Sequence, residues 1–356
     1  MPHASLPLTR AQVDAIQVEL DQVRQEVLAD LGERDASYIR GVVRIARLSA
    51  VGGRTLLMFG IGPVTWVLGV GALATAKILE NMEIGHNVMH GQYDWMNDPA
   101  LFSQTYEWDN VCDAEQWRHY HNFVHHTFTN VVGKDRDFGY GFLRLSPTQP
   151  WRPVHLLQPV ATLVLGALFQ WGVGMHDLEL IDGPADRTLA DVGTRARPFL
   201  RKAARQLWKD YVLFPALALA NAPRVFVGNL VANLARNVWT HVVIFCGHFP
   251  DGVHEFTEAE TRDETRGDWY VRQLAGSANI EGGPLFHLLS GNLSHQIEHH
   301  VFPDLPAHRY AEIAPRVRAI CERHGLRYET GGLLRQYATV YRRIVRYALP
   351  WAPALV

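Results

Sequence analysis

The sequence predicts an all-α membrane protein whose metal-binding side chains lie just outside its apolar helices. Two observations carry this expectation. Long, nearly uncharged stretches alternate with highly charged ones along the 356 residues, a pattern an even globular core would not require. Three histidine clusters, His86 to His90, His119 to His126 and His295 to His300, stand close in sequence to those stretches but not within them. If the apolar spans form two hairpins, all three clusters fall on one side of the membrane, and topology and chemistry agree.

Composition excludes several classes. A formal net charge of −2 leaves no electrostatic footprint for nucleic acid. Cys112, Cys246 and Cys321 are odd in number and far apart, which suits small buried hydrophobes in a reducing compartment and not a disulfide framework. The N-terminus is acidic and lacks the short apolar core of a signal peptide. Only Lys77, Lys134, Lys202 and Lys209 among the 34 basic residues are lysines, a bias typical of a GC-rich bacterial genome. Nine of the 18 histidines fall in the three clusters, so the excess is concentrated.

Residues 9 to 33 read as an amphipathic helix. Thr9 and Gln12 form a potential capping box, and Val13, Ile16, Leu20, Val23, Val27 and Leu31 recur every three or four residues. That face either packs on the main body or pairs in a coiled coil. Arg40, Arg44 and Arg47 then punctuate apolar residues, as in a segment lying on the cytoplasmic membrane surface. From Leu48 to Ile78 the chain is too long for one perpendicular span of ~20 residues and short for two. Gly52-Gly53 or Gly62-Pro63 would turn a hairpin there, and a single tilted helix is the alternative. Residues 91 to 150 are polar, aromatic and turn-rich, hence extramembrane. Val154 to Met175 is long enough to span once. A basic stretch from Arg195 to Lys209 precedes two further apolar segments, Tyr211 to Ala220 and Val225 to Phe249. Arg236 interrupts the last, either as a functional group at membrane depth or as a helix end. Asp251 to Asp268 is acidic, and amphipathic helices are expected over 308–324 and 331–347. The organisation is then 1–47 as N-terminal amphipathic helices, 48–310 as the membrane domain with the clusters, and 311–356 as a cytosolic tail.

Histidines four apart share one face of a helix. His86/His90, His121/His125 and His295/His299 have that spacing, and His126 and His300 each add a neighbour. The clusters thus supply eight imidazoles, too many for one ion and enough for two. HExxH is absent, so the zinc-protease pattern fails; His254-Glu255 lacks the second histidine. A dinuclear all-imidazole site beside a membrane points to iron and O2 chemistry on a lipid, because zinc has no redox chemistry.

His86-Asn-Val-Met-His90, Trp117-Arg-His-Tyr-His-Asn122 through His125-His126-Thr127, and His295-Gln-Ile-Glu-His-His300-Val-Phe-Pro303 resemble the three histidine boxes of the membrane fatty acid desaturases. With Gln296 before Glu298-His299-His300, the third box is similar to that of the front-end and linoleoyl-CoA branch. The resemblance covers residues 50 to 310. It implies four transmembrane helices in two hairpins under a cytosolic helical cap that holds two iron ions. It also implies that His86, His90, His121, His125, His126, His299 and His300 are ligands. A further ligand is implied at the cytosolic end of the fourth membrane helix, which fits His248, with His241 as rival. Gln296 stands where many relatives have a first histidine; a neutral amide is a poor iron ligand, so a hydrogen-bonding or water-mediated role is expected. His295 competes for that place. Asn292 is expected to hydrogen-bond nearby, and Glu298 either orients a ligand imidazole or is an exposed helix carboxylate. His119 departs from the box spacing.

By the same resemblance, the reaction is O2-dependent insertion of a cis double bond into a long-chain acyl substrate. Two electrons must come from outside. No His-Pro-Gly-Gly haem motif occurs in the chain, so a separate ferredoxin, flavoprotein or cytochrome b5-like donor is implied. The expected location is a bacterial inner membrane, multi-pass, with the site facing the cytoplasm. Hydroxylases and monooxygenases share the boxes and form the alternative. Membrane metal transporters and bis-histidine haem proteins carry their ligands inside the spans, unlike the clusters here.

Overall fold

Helix α1 (Arg10–Ala29) starts as its sequence dictates. The Thr9 hydroxyl accepts from the Gln12 backbone N–H (3.3 Å) while the Gln12 side chain accepts from the Thr9 N–H (2.9 Å). Its apolar stripe of Val13, Ile16, Leu20, Val23 and Val27 is buried against Tyr270, Leu274, Ile313, Val317 and Ile320 of the same chain. The face available for a coiled-coil partner is therefore already covered. The computed structural model describes residues 8–176, 178 and 188–351, and the outer ends of the 1–47 and 311–356 segments lie outside the described residues.

Helix α2 (Glu33–Phe59) joins the basic amphipathic stretch and the first half of the apolar run without a break. The chain reverses at Gly60–Ile61, and α3 (Gly62–Leu79) returns along it, with Gly62 at a φ of 77° and Pro63 in the first turn. The run is thus a hairpin and not one tilted helix. Gly52-Gly53 supplies no turn: a side-chain carbon at Gly53 would lie 2.7 Å from the Leu73 backbone nitrogen, so this glycine lets the two helices touch. Beyond Leu79 the helix widens into a π-helical turn (Glu80–His86) and ends at Asn87–Met89.

Between the hairpin and the next apolar block, α4 (Ala114–Trp117) is capped by Asp113, whose carboxylate accepts from the Glu115 and Gln116 N–H groups. It too opens into a π-helical turn (Arg118–His125). The block at 154–175 does not form the expected single span. Helices α5 (Gln158–Ala167) and α6 (Phe169–His176) meet at Leu168, and the pair bends by 103°. The cause lies on a later helix: the Asn237 side-chain amide donates to the Ala167 carbonyl (2.8 Å), taking an acceptor that a continuing helix would use.

Helix α7 (Leu189–Trp208) continues through a π-helical turn (Lys209–Leu213) to Leu217, and α8 (Ala222–His248) runs back beside it. At the start of α8, Arg224 donates to the Leu57 and Gly62 carbonyls (3.2 and 2.9 Å), lacing the two hairpins together. Arg236 is buried in mid-helix and bonded to Asn237 (3.0 Å), so it does not mark a helix end. Among the described residues, Gly62–Met89 alone is long and apolar enough to cross a bilayer; the bent pair passes only as a unit.

The remainder forms a cap from α9 (Arg266–Ala275), α10 (Pro284–Leu289), α11 (Gln296–Val301), α12 (Tyr310–Arg323) and α13 (Leu333–Tyr347). It is not purely helical. Strand β1 (Asn279–Glu281) pairs in parallel with β2 (Thr330–Gly332), with Ile280 opposite Gly331. The tail helices expected at 308–324 and 331–347 are α12 and α13.

Candidate metal centre

The first histidine box leaves α3 through its π-helical turn. Asn87 holds that turn, its side-chain amide donating to the Glu83 carbonyl (3.0 Å) and across to the Gly291 carbonyl (3.2 Å). A spacing of four presupposes α-helical faces, but His86 and the His121–His125 run ride π-helical turns, a geometry that recurs at functional sites. The second box ends under α9. Arg272 donates to the Thr127 and Thr129 carbonyls, and Trp269 and Gln273 donate to that of His126. The third box follows a tight turn at Gly291–Asn292, both at positive φ; a side chain at 291 would overlap the Met82 carbonyl. His295 precedes α11 and does not share a helical face with His299.

Eight imidazoles meet. His86, His90, His121 and His299 offer ring nitrogens within 4.8 Å of one another, as do His125, His248 and His300. His126, with His299 and His300, forms a third such group that joins them. His86 Nε2 and His121 Nε2 face each other at 3.2 Å. The Nε2 atoms of His90, His125, His126, His299 and His300 and Nδ1 of His248 are buried without a hydrogen-bond partner.

Five of the eight rings are anchored through Nδ1, whereas neither nitrogen of His126 has a partner. His125 Nδ1 donates to Asp135 (2.9 Å), His121 Nδ1 lies 3.4 Å from Asp137, and His86 Nδ1 bonds Asn87 (3.1 Å). His300 Nδ1 reaches Gln273 and Thr129, and His299 Nδ1 reaches the Tyr310 hydroxyl at 3.4 Å. An anchor on Nδ1 fixes the ring and turns the Nε2 lone pair inward. Burial first, then the neighbouring imidazoles, holds His126, His299 and His300 well below the usual histidine range, so they stay neutral. Leaving so many buried acceptors unpaired costs about 1–3 kcal/mol each. A cation accepting them removes that penalty, so the donor set fits metal.

His248 and Gln296 both reach this cluster, the Gln296 side-chain amide lying against His248 Nε2 (3.0 Å). Gly247 permits the approach, since a side-chain carbon there would lie 2.8 Å from Gln296 Cγ. His241 does not reach it; its ring lies on Phe245 (4.0 Å between centroids) and against Gly166. His295 also points elsewhere, stacked on His287 at 4.6 Å. Asn292 acts at one remove, donating to Glu83 (2.9 Å). Glu298 orients no ligand ring and is not exposed: Asn279 and Tyr328 hold its carboxylate (both 2.8 Å), and burial pushes its pKa up to about 7. His119 lies against Tyr120 and Phe123, off the cluster. Sequence reasoning missed Asp135, Asp137, Gln273 and Tyr310. Only the closeness of the Asp-Arg-Asp run to the second box offered a signal.

A cavity of about 60 Å³ adjoins the rings. His121, His125 and Gln296 line one part, Phe169 and Val173 an apolar wall, and Gln170, Arg236 and Asn237 a polar one.

Helices that gather eight imidazoles, six of them buried, around unpartnered ring nitrogens define a protein suited to holding metal. A family model described as fatty acid desaturase matches residues 62–332. The chain is 47% identical over 350 residues to the NADPH-dependent stearoyl-CoA 9-desaturase of Mycobacterium tuberculosis, covering 96% of this chain and 82% of that protein. It is 27% identical over 319 residues to the sn-1 linoleoyl-lipid 6-desaturase of Synechocystis, covering 84% and 85%. A shorter match, 32% over 222 residues, links it to the acyl-lipid (7-3)-desaturase of Rebecca salina and covers 60% of this chain and 48% of that protein. The chain belongs to the fatty acid desaturase family and is an oxidoreductase of lipid metabolism.

Proposed function

We propose that the chain inserts a cis double bond into a long-chain fatty acyl substrate with O2 and two external electrons, at a centre of two iron ions. The supporting observation is the inward convergence of unpartnered imidazole nitrogens. His86, His90, His121, His125, His126, His248, His299 and His300 are the proposed ligands, with Gln296 bonded to His248. When bound, the iron supplies O2 activation and hydrogen abstraction from an unactivated C–H. The balance is –CH2–CH2– plus O2, two electrons and two protons, giving –CH=CH– and two waters.

The chain's own residues do the rest. Asp135, Asp137, Asn87, Gln273 and Tyr310 keep the rings oriented, and Phe169 and Val173 provide apolar wall for methylenes. The similarity to a stearoyl-CoA 9-desaturase favours a CoA thioester of a saturated chain, with NADPH as the remote reductant through a separate donor protein. We read α2 with α3 and α7 with α8 as the two membrane hairpins of residues 48–310, flanked by 1–47 and 311–356, with the bent α5–α6 pair beside them. Exposed Val51, Phe59, Val64, Leu68, Leu217, Phe226 and Leu230 on these helices support lipid contact. The cap then faces the cytoplasm of a bacterial inner membrane.

Co-expression with a competent reductase and donor, followed by mass spectrometry of derivatised fatty acids, tests this. A new double bond in wild type that is absent in His299→Ala is expected. A hydroxylated product overturns the desaturase reading in favour of a monooxygenase.

A further inference from the structure

A second, larger hollow of about 820 Å³ lies on the opposite side of the α3 extension from the histidine cavity. One wall is α2, with Arg40, Arg44, Arg47 and Arg54 on a single face; Val43 and Leu48 of α2 add accessible apolar surface, and Leu73 and Ala76 of α3 lie buried beneath. The rim residues Arg40, Arg44, Arg47 and Leu48 are exposed where α2 enters the apolar run.

The acids around this hollow are already engaged. Glu107 pairs with Lys202, Asp109 with Lys209 (2.5 Å) and Glu80 with the Tyr106 hydroxyl (2.8 Å). Asp98 caps Ala100 (3.0 Å) and lies 3.9 Å from Arg40. Arg44 and Arg47, by contrast, have no carboxylate in ion-pair reach among the described residues. Two uncompensated guanidiniums beside the apolar Val43 and Leu48 match a phosphate carried on acyl chains.

The hollow and the histidine cavity stand back to back. Glu80 and Asp109 face the first; Asn81 and Asn110 face the second and are bonded to each other (2.6 Å). An acyl chain lying here is walled off from the imidazoles, which argues against the substrate as occupant. We propose that this groove binds an anionic phospholipid of the bilayer, its phosphate on Arg44 and Arg47 and its first methylenes on Val43 and Leu48. The proposal rests on the reading that α2 enters the membrane near Leu48.

The test uses the full chain in nanodiscs of phosphatidylcholine with phosphatidylglycerol mixed in. Lipid retained after purification into detergent is quantified by native mass spectrometry. Wild type keeps phosphatidylglycerol; Arg44→Gln/Arg47→Gln binds it about tenfold or more weakly, while Arg201→Gln/Arg205→Gln, on exposed α7, retains it. Unchanged metal content in the first variant shows that it is folded. Equal phosphatidylglycerol retention in wild type and the α2 variant overturns the proposal. So does displacement of the lipid by acyl-CoA with a raised KM in that variant, which assigns the groove to substrate. If the membrane reading itself is wrong, the protein is recovered without detergent, a distinct result that also removes the lipid.

Discussion

Asp135 accepts from His125 Nδ1 and from the Asn130 N–H (2.7 Å), so its carboxylate fixes both a ring and the loop after the second box. Asp135→Asn keeps the shape but removes the charge that fixes the ring; metal affinity is expected to fall about 10–100-fold, read by titration with iron or cobalt. His299→Ala is expected to lose metal, whereas His295→Ala keeps it, because only the first ring points into the cluster. Metal analysis of the two purified variants checks this pair. Histidine spacing made the clusters legible in the sequence, and the family resemblance pointed to His248 over His241. Asp135 was not legible: a carboxylate in a polar loop looks the same whether it faces solvent or an imidazole. Glu298 misled for the opposite reason, since its nearness to His299 in sequence hid that Asn279 and Tyr328 hold it.

Helix positions were easier to read than helix geometry. Thr9 and Gln12 announced the start of α1, and Gly62-Pro63 the return of the first hairpin. Nothing local announced the π-helical turns, because the Asn87 bond to the Gly291 carbonyl depends on a segment two hundred residues away, about the full length of a domain. The bend at Leu168 is similar, since its cause, Asn237, sits on α8. Asn237→Val is expected to leave the Ala167 carbonyl unpaired and lower stability by about 1 kcal/mol, seen as a reduced Tm with metal loading held constant.

The cap is fastened to the N-terminal helices by buried charge. Arg309 donates to Asp35 through two nitrogens (2.5 and 2.9 Å), and His308 Nε2 lies 2.9 Å from the same carboxylate. Asp35→Asn removes one of the carboxylates on Arg309, which keeps Asp30 (2.9 Å) and Glu312 (3.1 Å), so a loss of about 1–3 kcal/mol is expected, measured by denaturant or thermal unfolding in detergent. The imidazoles come from the π-helical extensions of α3 and α4, from α8 and from α11, so a bound metal would tie four distant segments. Chelation of the reduced protein is therefore expected to lower Tm, and re-addition of iron to restore it.

The donors run from His86 to His300 along the chain. During synthesis, the first box emerges long before α11 exists, and both helical hairpins precede the last two rings. The site is therefore complete only after the ribosome has passed residue 300 and the upstream helices have folded. On the proposed function, metallation belongs to the end of biogenesis, and a chain truncated before the third box leaves the first two boxes without His299 and His300.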